Sequence, residues 1–249
     1  MEGTYDGEPI EALRARWGVP SVRAYHAVAS TMDVAHAAAA NGAPAGTVVV
    51  ADVQTAGRGR NGRRWVSDAD AGVWTTVVER PRDVDALAVL SLRVGLALST
   101  ALEPLAGAAL ALKWPNDVLR DGRKVAGVLV EARWREGIPE WVAIGIGVNR
   151  APPPDLADAA GVGAHVTRRQ LLEAVVHAVR GAAAATGALS RAELATFASR
   201  DAVRGRMVVS PVAGEATGVN ARGELLIRTP GGLVAPVPTA TVVYADPLR

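Results

Sequence analysis

A mostly apolar run, Thr47-Val48-Val49-Val50-Ala51-Asp52-Val53, leads straight into Gln54-Thr55-Ala56-Gly57-Arg58-Gly59-Arg60-Asn61-Gly62-Arg63-Arg64-Trp65. The run reads as a buried strand. Behind it, four arginines and three glycines fall within the nine residues from Gly57 to Trp65. Glycine lets a backbone take positive φ and come close to a ligand. Arginine forks grip phosphate or carboxylate through paired hydrogen bonds. A strand that delivers such a loop is a device for holding an anion at a sheet end.

Two other readings compete for the loop. Gly57-Arg58-Gly59-Arg60-Asn61-Gly62 matches the dinucleotide pattern G-x-G-x-x-G letter for letter. That fingerprint needs a helix to open at its last glycine, whereas residues 63–72 carry turn chemistry. No Gly-Lys-Ser/Thr follows, which excludes a Walker A loop. The second competitor is a basic patch for nucleic acid. It is weakened by the balance of 27 basic against 25 acidic residues, a net charge of +2.

The 249 residues, 49% of them hydrophobic, allow one large domain or a large and a small one. The absence of cysteine excludes disulfides and thiolate metal sites and fits a reducing compartment. His26, His36, His165 and His177 show no metal-ligand spacing. The first residues are acidic and polar, so no secretory signal is visible. The longest apolar stretch, residues 84–102, is interrupted by Asp85, Ser91 and Arg93 and reads as a buried helix rather than a membrane span.

In chain order, residues 1–20 read as a polar leader with little structure beyond a short helix over 10–17. Residues 21–29 suggest a short strand. Ser30 is a good N-cap for the helix that starts at Thr31-Met32-Asp33, and Gly42 ends it. The Ser30 and Thr31 hydroxyls have two readings, capping alone or hydrogen bonding to a ligand at the helix start. Residues 73–79 form the next strand. Asp83 caps a long helix running to about Gly107, with Leu87, Leu90, Val94 and Leu98 on one face.

A second dense stretch follows, Lys113-Trp114-Pro115-Asn116-Asp117. A turn explains its last three residues but not the lysine and tryptophan beside them. Asp121-Gly122 marks a hairpin. The strand over residues 124–131 has Lys124 at its mouth and Gly127 inside, where a ligand or a neighbouring backbone comes close. Trp134 and Trp141 flank the turn at Glu136-Gly137, as either an exposed dimer patch or a cross-strand indole pair. Gly145 and Gly147 share one face of the strand over 143–149 and leave a groove there. After a proline-rich loop at 151–154, helices are expected over 167–185 and 190–200. Short strands at 207–211, 216–220, 225–229, 233–236 and 241–244, with glycine turns between them, read as a small all-β barrel. The boundary between the two regions falls near 201–205.

Ser30-Thr31, Gln54-x-x-Gly57-Arg58-Gly59-Arg60-x-Gly62-Arg63-x-Trp65, Lys113-Trp114-Pro115-Asn116-Asp117, Lys124-x-Ala126-Gly127 and Gly145-x-Gly147-x-Asn149 together resemble the biotin–protein ligases, over about residues 21–249. The resemblance implies an α+β fold. Residues 21–202 would form a mixed sheet flanked by helices, a class II synthetase-like catalytic domain, and residues 203–249 a small SH3-like β-barrel, behind the leader at 1–20. It also implies two departures from the family. Met32 stands where the family commonly has asparagine. Only 29 residues precede Ser30, too few for the winged helix with which some members repress transcription, so a ligase without repressor function is expected.

The chemistry implied by the resemblance is attack of biotin's carboxylate on the α-phosphate of ATP, then transfer of biotin to a lysine. Lys124, Arg60 and Asp117 are the catalytic candidates. Biotin contacts are expected from Ser30, Thr31, Met32, Gln54, Gly57, Arg58, Gly59, Arg60, Lys124, Gly127, Gly145 and Gly147. ATP and adenylate contacts are expected from Arg58, Arg60, Arg63, Trp65, Lys113, Asn116, Asp117 and Asn149. Asp117 is also the candidate for Mg²⁺, held through the substrate phosphates. The implied partner is a biotin carboxyl carrier domain of a biotin-dependent carboxylase. No nucleic acid or membrane is expected, the location would be cytoplasmic, and the state a monomer or weak homodimer. Competing readings are a lipoate or octanoate ligase of the same fold, a biotin binder without catalysis, and a nucleic-acid-binding regulator.

Overall fold

The computed structural model describes residues 3–81, 83–238 and 242–245. A hairpin of β1 (Thr4–Tyr5) and β2 (Glu8–Pro9) runs into α1 (Ile10–Trp17). There follow β3 (Ser21–Val28), α2 (Thr31–Ala40), β4 (Thr47–Gln54), β5 (Gly72–Glu79), α3 (Val84–Ala106), β6 (Ala111–Lys113), β7 (Asp117–Arg120), β8 (Arg123–Arg135) and β9 (Ile138–Asn149). Two helices, α4 (Arg168–Ala184) and α5 (Arg191–Arg200), lead to β10 (Met207–Ser210), β11 (Gly214–Val219), β12 (Leu225–Arg228), β13 (Val234–Val237) and β14 (Val243–Tyr244).

The central sheet is mixed and seven-stranded, in the order β3-β4-β5-β9-β8-β7-β6. Only β3 and β4 pair in parallel; the other neighbours are antiparallel. Alternate residues of a strand face opposite sides, and here both sides are covered. Val48, Val50, Val77, Ile144 and Ile146 belong to the main core with α3 and α4. Val49, Val78 and Ala143 pack against Met32, Ala35 and Ala39 of α2. Gly145 and Gly147 continue the second face, beside the start of α2.

Local signals account for the element ends. Ser30 Oγ accepts from Met32 N at 3.2 Å, and an Asp83 carboxylate oxygen accepts from Ala86 N at 3.1 Å. Thr167–Gln170 and Ser190–Glu193 form full capping boxes. The turns at Asp121-Gly122 and Glu136-Gly137 have positive φ at both residues, as a tight two-residue hairpin turn requires. Helix α3 is long and apolar enough to cross a membrane by composition. Its Val94, Leu98 and Leu102 are nevertheless wholly buried within the protein.

The structure departs from these expectations at several points. The helix expected over 10–17 is α1, but the hairpin before it and the burial of both were not foreseen: Tyr5, Leu13 and Trp17 are each 2% exposed and join the main core. Arg168 of α4 lies over the Tyr5 ring at 4.9 Å and donates to both the Tyr5 hydroxyl and Asp52, so an ion pair made far along the chain fixes the hairpin. Trp134 and Trp141 do not pair. A register shift sets Trp134 opposite Pro139 and Trp141 opposite Arg133, leaving Trp134 exposed. The C-terminal strands form a five-stranded antiparallel sheet, β13-β12-β11-β10-β14, with no closure into a barrel among the described residues. The last expected strand begins at Thr241, which lies outside the described residues; β14 covers its end.

The small sheet is fastened to the large one. Trp114 Nε1 donates to the Gly223 carbonyl at 2.9 Å. Ala202 N donates to Leu112 O at 2.9 Å, which adds the chain after α5 to the edge of β6.

Candidate active site

The glycine–arginine loop leaves β4 and folds back on itself. Trp65 N donates to Gly57 O at 2.9 Å and Gly59 N to Arg63 O at 2.7 Å. Between them Arg60–Gly62 makes a single 3₁₀ turn, with Asn61 and Gly62 at φ of 56° and 71°. No α-helix opens at Gly62, so the loop is not a dinucleotide fingerprint. Gly57 serves the loop's own closure: a Cβ there would lie 2.6 Å from Trp65 O.

The loop covers a cleft on the α2 face of the sheet. Its lining comprises Ser30, Thr31 and Met32 of α2, Gln54 of β4, Arg58, Gly59, Arg60 and Trp65 of the loop, and Asn116. Lys124 and Gly127 of β8 and Gly145 and Gly147 of β9 also line it, whereas Gly57, expected with them, does not. The floor is polar. Gln54 Oε1 accepts from Thr31 N at 2.8 Å and from Thr31 Oγ1 at 3.0 Å, and Gln54 Nε2 donates to Ser67 Oγ at 2.9 Å. Thr31 Oγ1 also lies 2.8 Å from Thr76 Oγ1. Thr75 and Thr76 were missed by the sequence reading, although two threonines amid Val73, Val77 and Val78 mark a polar spot in a buried strand. The cleft walls are apolar, from Met32, Val128, Leu129, Ile146 and Trp65.

The glycines of β9 do not leave an empty groove. A Cβ on Gly145 would lie 2.7 Å from Met32 Cε, and one on Gly147 2.3 Å from Trp65 Cε2. The room they make is taken by two side chains that themselves line the cleft. The Met32 thioether packs into the slot at Gly145.

Lys124 stands where three clefts meet. It lines the covered cleft, a basic cleft with Arg60, Arg63, Arg64, Lys113, Asn116, Asp117 and Tyr244, and a third with Val66, Pro153, Leu156 and Ala157. Its Nζ lies 2.6 Å from Asp117 Oδ1 and 4.9 Å from the centre of the Trp65 ring. Its backbone is held as firmly: Lys124 N donates to Asp158 O and Ala160 N to Lys124 O. Asn149 Nδ2 donates to Ala160 O at 3.2 Å and Lys124 O at 3.4 Å. Asn149, expected at the nucleotide, lines the third cleft, and its amide donors also hold the backbone of Lys124 in place. Tyr244 and the loop at 155–159 were also missed, since nothing local in either marks a site.

The basic cleft carries five cations against one carboxylate, Asp117. Burial pulls the Lys113 ammonium below its ordinary value, Lys124 and Arg63 pull the same way, and Asp117 opposes them. Burial lowers Arg60 as well, again against Asp117. Arg60 Nη1 donates to Asn116 Oδ1 at 3.2 Å. Cations crowded this closely favour an anion between them. Arg58 differs from the others: it is paired with Asp33 at 2.5 Å. A resident metal does not fit. Among the described residues no group of three or more His, Asp or Glu is placed to hold one, and Asp117 is engaged by Lys124.

The model for the biotin/lipoate A/B protein ligase family matches residues 26–149. The bifunctional ligase/repressor BirA of Bacillus subtilis is 43% identical over 137 residues, 54% of this chain and 42% of that protein. The biotin–[acetyl-CoA-carboxylase] ligase of Paracoccus denitrificans is 48% identical over 109 residues, 43% of this chain and 45% of that protein. The chain thus matches less than half the length of these curated relatives. The solved biotin protein ligase from Aquifex aeolicus in complex with biotin and ATP is similar over 90% of this chain and 98% of that one, with 25% identity and a TM-score of 0.73. The loop, its cleft and Lys124 all lie inside the residues that the model for this family matches.

Proposed function

We propose that the chain is an ATP-dependent biotin–protein ligase. The observation that carries the reading is the position of Lys124 and Arg60. Both line the covered cleft with its polar floor, and both line the cation-rich cleft beside it. A ligand with a polar ring system at one end and a carboxylate at the other would place the ring over Thr31, Gln54 and Thr76 and the carboxylate at Lys124. Biotin has that shape: a neutral ureido ring, an apolar thiophane and an acid tail.

ATP would lay its phosphates among Arg60, Arg63, Lys113 and Lys124 and its base in the third, more apolar cleft by Trp65 and Leu156. Bringing a carboxylate onto a phosphate sets two anions together, so fixed cations must offset the repulsion. A carboxylate oxygen then attacks the α-phosphorus, the bond to the β-phosphate oxygen breaks, and pyrophosphate leaves. In the second step a carrier lysine amine attacks the acyl carbon of biotinyl-5′-AMP. The acyl–phosphate bond breaks, AMP leaves and the nitrogen loses a proton. Lys124 would stabilise oxygen charge in both steps, with Asp117 at 2.6 Å orienting it.

Magnesium would arrive with the nucleotide phosphates, near Asp117, since the protein groups do not form a cage. The division into a catalytic region, 21–202, and a C-terminal region, 203–249, follows the two sheets, and we read the smaller as SH3-like. The carrier domain of a biotin-dependent carboxylase is the proposed acceptor, in the cytoplasm. A lipoate ligase is the second reading, favoured by the breadth of the matched family. The hydrogen-bonding floor suits a ureido ring better than a dithiolane.

Intact-mass measurement tests the reading. A biotin carboxyl carrier domain incubated with the protein, biotin and ATP should gain one biotinyl group on one lysine. An unmodified carrier, or modification with lipoate alone, would overturn it.

A further inference from the structure

Arg58 belongs to the arginine-rich loop, yet its guanidinium faces carboxylates rather than the cation-rich cleft. Nη1 donates to Asp33 Oδ1 at 2.5 Å, and Nη2 lies 3.5 Å from Glu131 Oε2. Asp33 sits in the first turn of α2, one wall of the cleft, and Glu131 on β8, another wall. Glu131 is itself held: its Oε2 lies 3.0 Å from His36 Nε2. Trp141 Nε1 reaches His36 Nδ1 at 3.0 Å. An indole N–H only donates, so Nδ1 must be the acceptor and the ring proton sits on Nε2, donated to Glu131. Trp141 thus donates to His36 and His36 to Glu131, while Arg58 donates to both Glu131 and Asp33.

We propose that Arg58 is a positioning residue, the catch that fastens the loop to both cleft walls, and not a ligand of substrate anions. With two carboxylates at its fork, its charge is already matched, unlike those of Arg60 and Arg63. The role for substrate retention rests on the ligase reading above; the fastening itself does not.

A three-part cycle tests it: Arg58→Gln, the pair Asp33→Asn with Glu131→Gln, and all three together. Exposed pairs are individually weak, so the expected effect is about threefold. The dissociation rate of biotin, read by stopped-flow tryptophan fluorescence, should rise about threefold in each variant, with little change in association rate. Because Arg58 acts through the carboxylates, combining the changes should add nothing further. Tryptic nicking at Arg60, Arg63 and Arg64 in the ligand-free protein should quicken in parallel. Multiplicative effects in the combined variant, or wild-type rates in Arg58→Gln, would overturn the proposal. Failure of the wild type to bind biotin would count against the ligase reading alone, since the nicking pattern still tests the catch. Trp141→Phe keeps the aromatic packing and removes the donor to His36, and should give a smaller change of the same sign.

Discussion

Gly147→Ala is the substitution whose cost the structure specifies most closely. The added methyl would lie 2.3, 2.5 and 2.6 Å from Cε2, Cζ2 and Nε1 of Trp65. Real Cβ atoms do not sit that close, so something must move. The backbone cannot, because Gly147 pairs with Trp74 of β5 on one side and Gly127 of β8 on the other. The indole cannot swing freely either: it packs edge-on to Trp74 at 6.3 Å and lies beneath Lys124. Overpacking of this kind costs about 1–3 kcal/mol, which lowers Tm by roughly 4–8 °C for a cost of about 2 kcal/mol in a chain this long. Gly145→Ala is the internal control. Its methyl would meet only Met32 Cε at 2.7 Å, the far end of a flexible side chain, so its cost should stay below about 1 kcal/mol. Urea unfolding followed by circular dichroism gives both values. Because Trp65 must shift, pyrophosphate release should fall in Gly147→Ala even where the protein is folded. Equal stabilities for the two variants, or a Gly147→Ala protein with unchanged tryptophan fluorescence and turnover, would refute the packing argument.

Three further outcomes are expected. Lys124→Ala should abolish biotin-dependent pyrophosphate release while circular dichroism stays that of the wild type; near-normal release would remove Lys124 from the chemistry. Arg60→Gly should let biotinyl-5′-AMP escape into solution, measured by single-turnover chromatography, because Arg60 lies in both the covered and the basic cleft. An amount of free adenylate no greater than that of the wild type would contradict this. The Arg93 hydrogen bond holds the Glu193 carboxyl down at about 2, from an ordinary value of 4.5. A depressed folded-state value contributes stability that is present above about pH 4.5 and lost as pH falls toward 2. Urea midpoints should therefore drop between pH 5 and pH 2 by less in Glu193→Gln than in the wild type; equal drops would show the pair to be inert.

Much of the fold could be read locally. Ser30, Asp83 and Ser190 announce helix starts because a cap uses neighbours two or three residues away. Asp121-Gly122 and Glu136-Gly137 announce hairpins for the same reason. The site was legible because its parts are dense: loop, Lys113–Asp117 and Lys124 each break the apolar texture around them. Contacts across the chain were not legible. Tyr5 is anchored by Arg168, Gly147 is filled by Trp65, and Gly145 by Met32. Arg58 looked like its neighbours in sequence and differs from them only because Asp33 and Glu131 reach it. The hold that the Asn149 amide has on the backbone of Lys124 was equally hidden. Of the two readings of the β8–β9 tryptophans, only the cross-strand pair fails, because Trp134 faces Pro139 and Trp141 faces Arg133.

On the proposed reading, Lys124 brings a carboxylate and a phosphate together in one cleft. Pyrophosphate release from ATP, with biotin, lipoate or no acid and without carrier, tests this most directly. Release that depends on biotin alone is the predicted result; release with lipoate alone, or none with any acid, would contradict it.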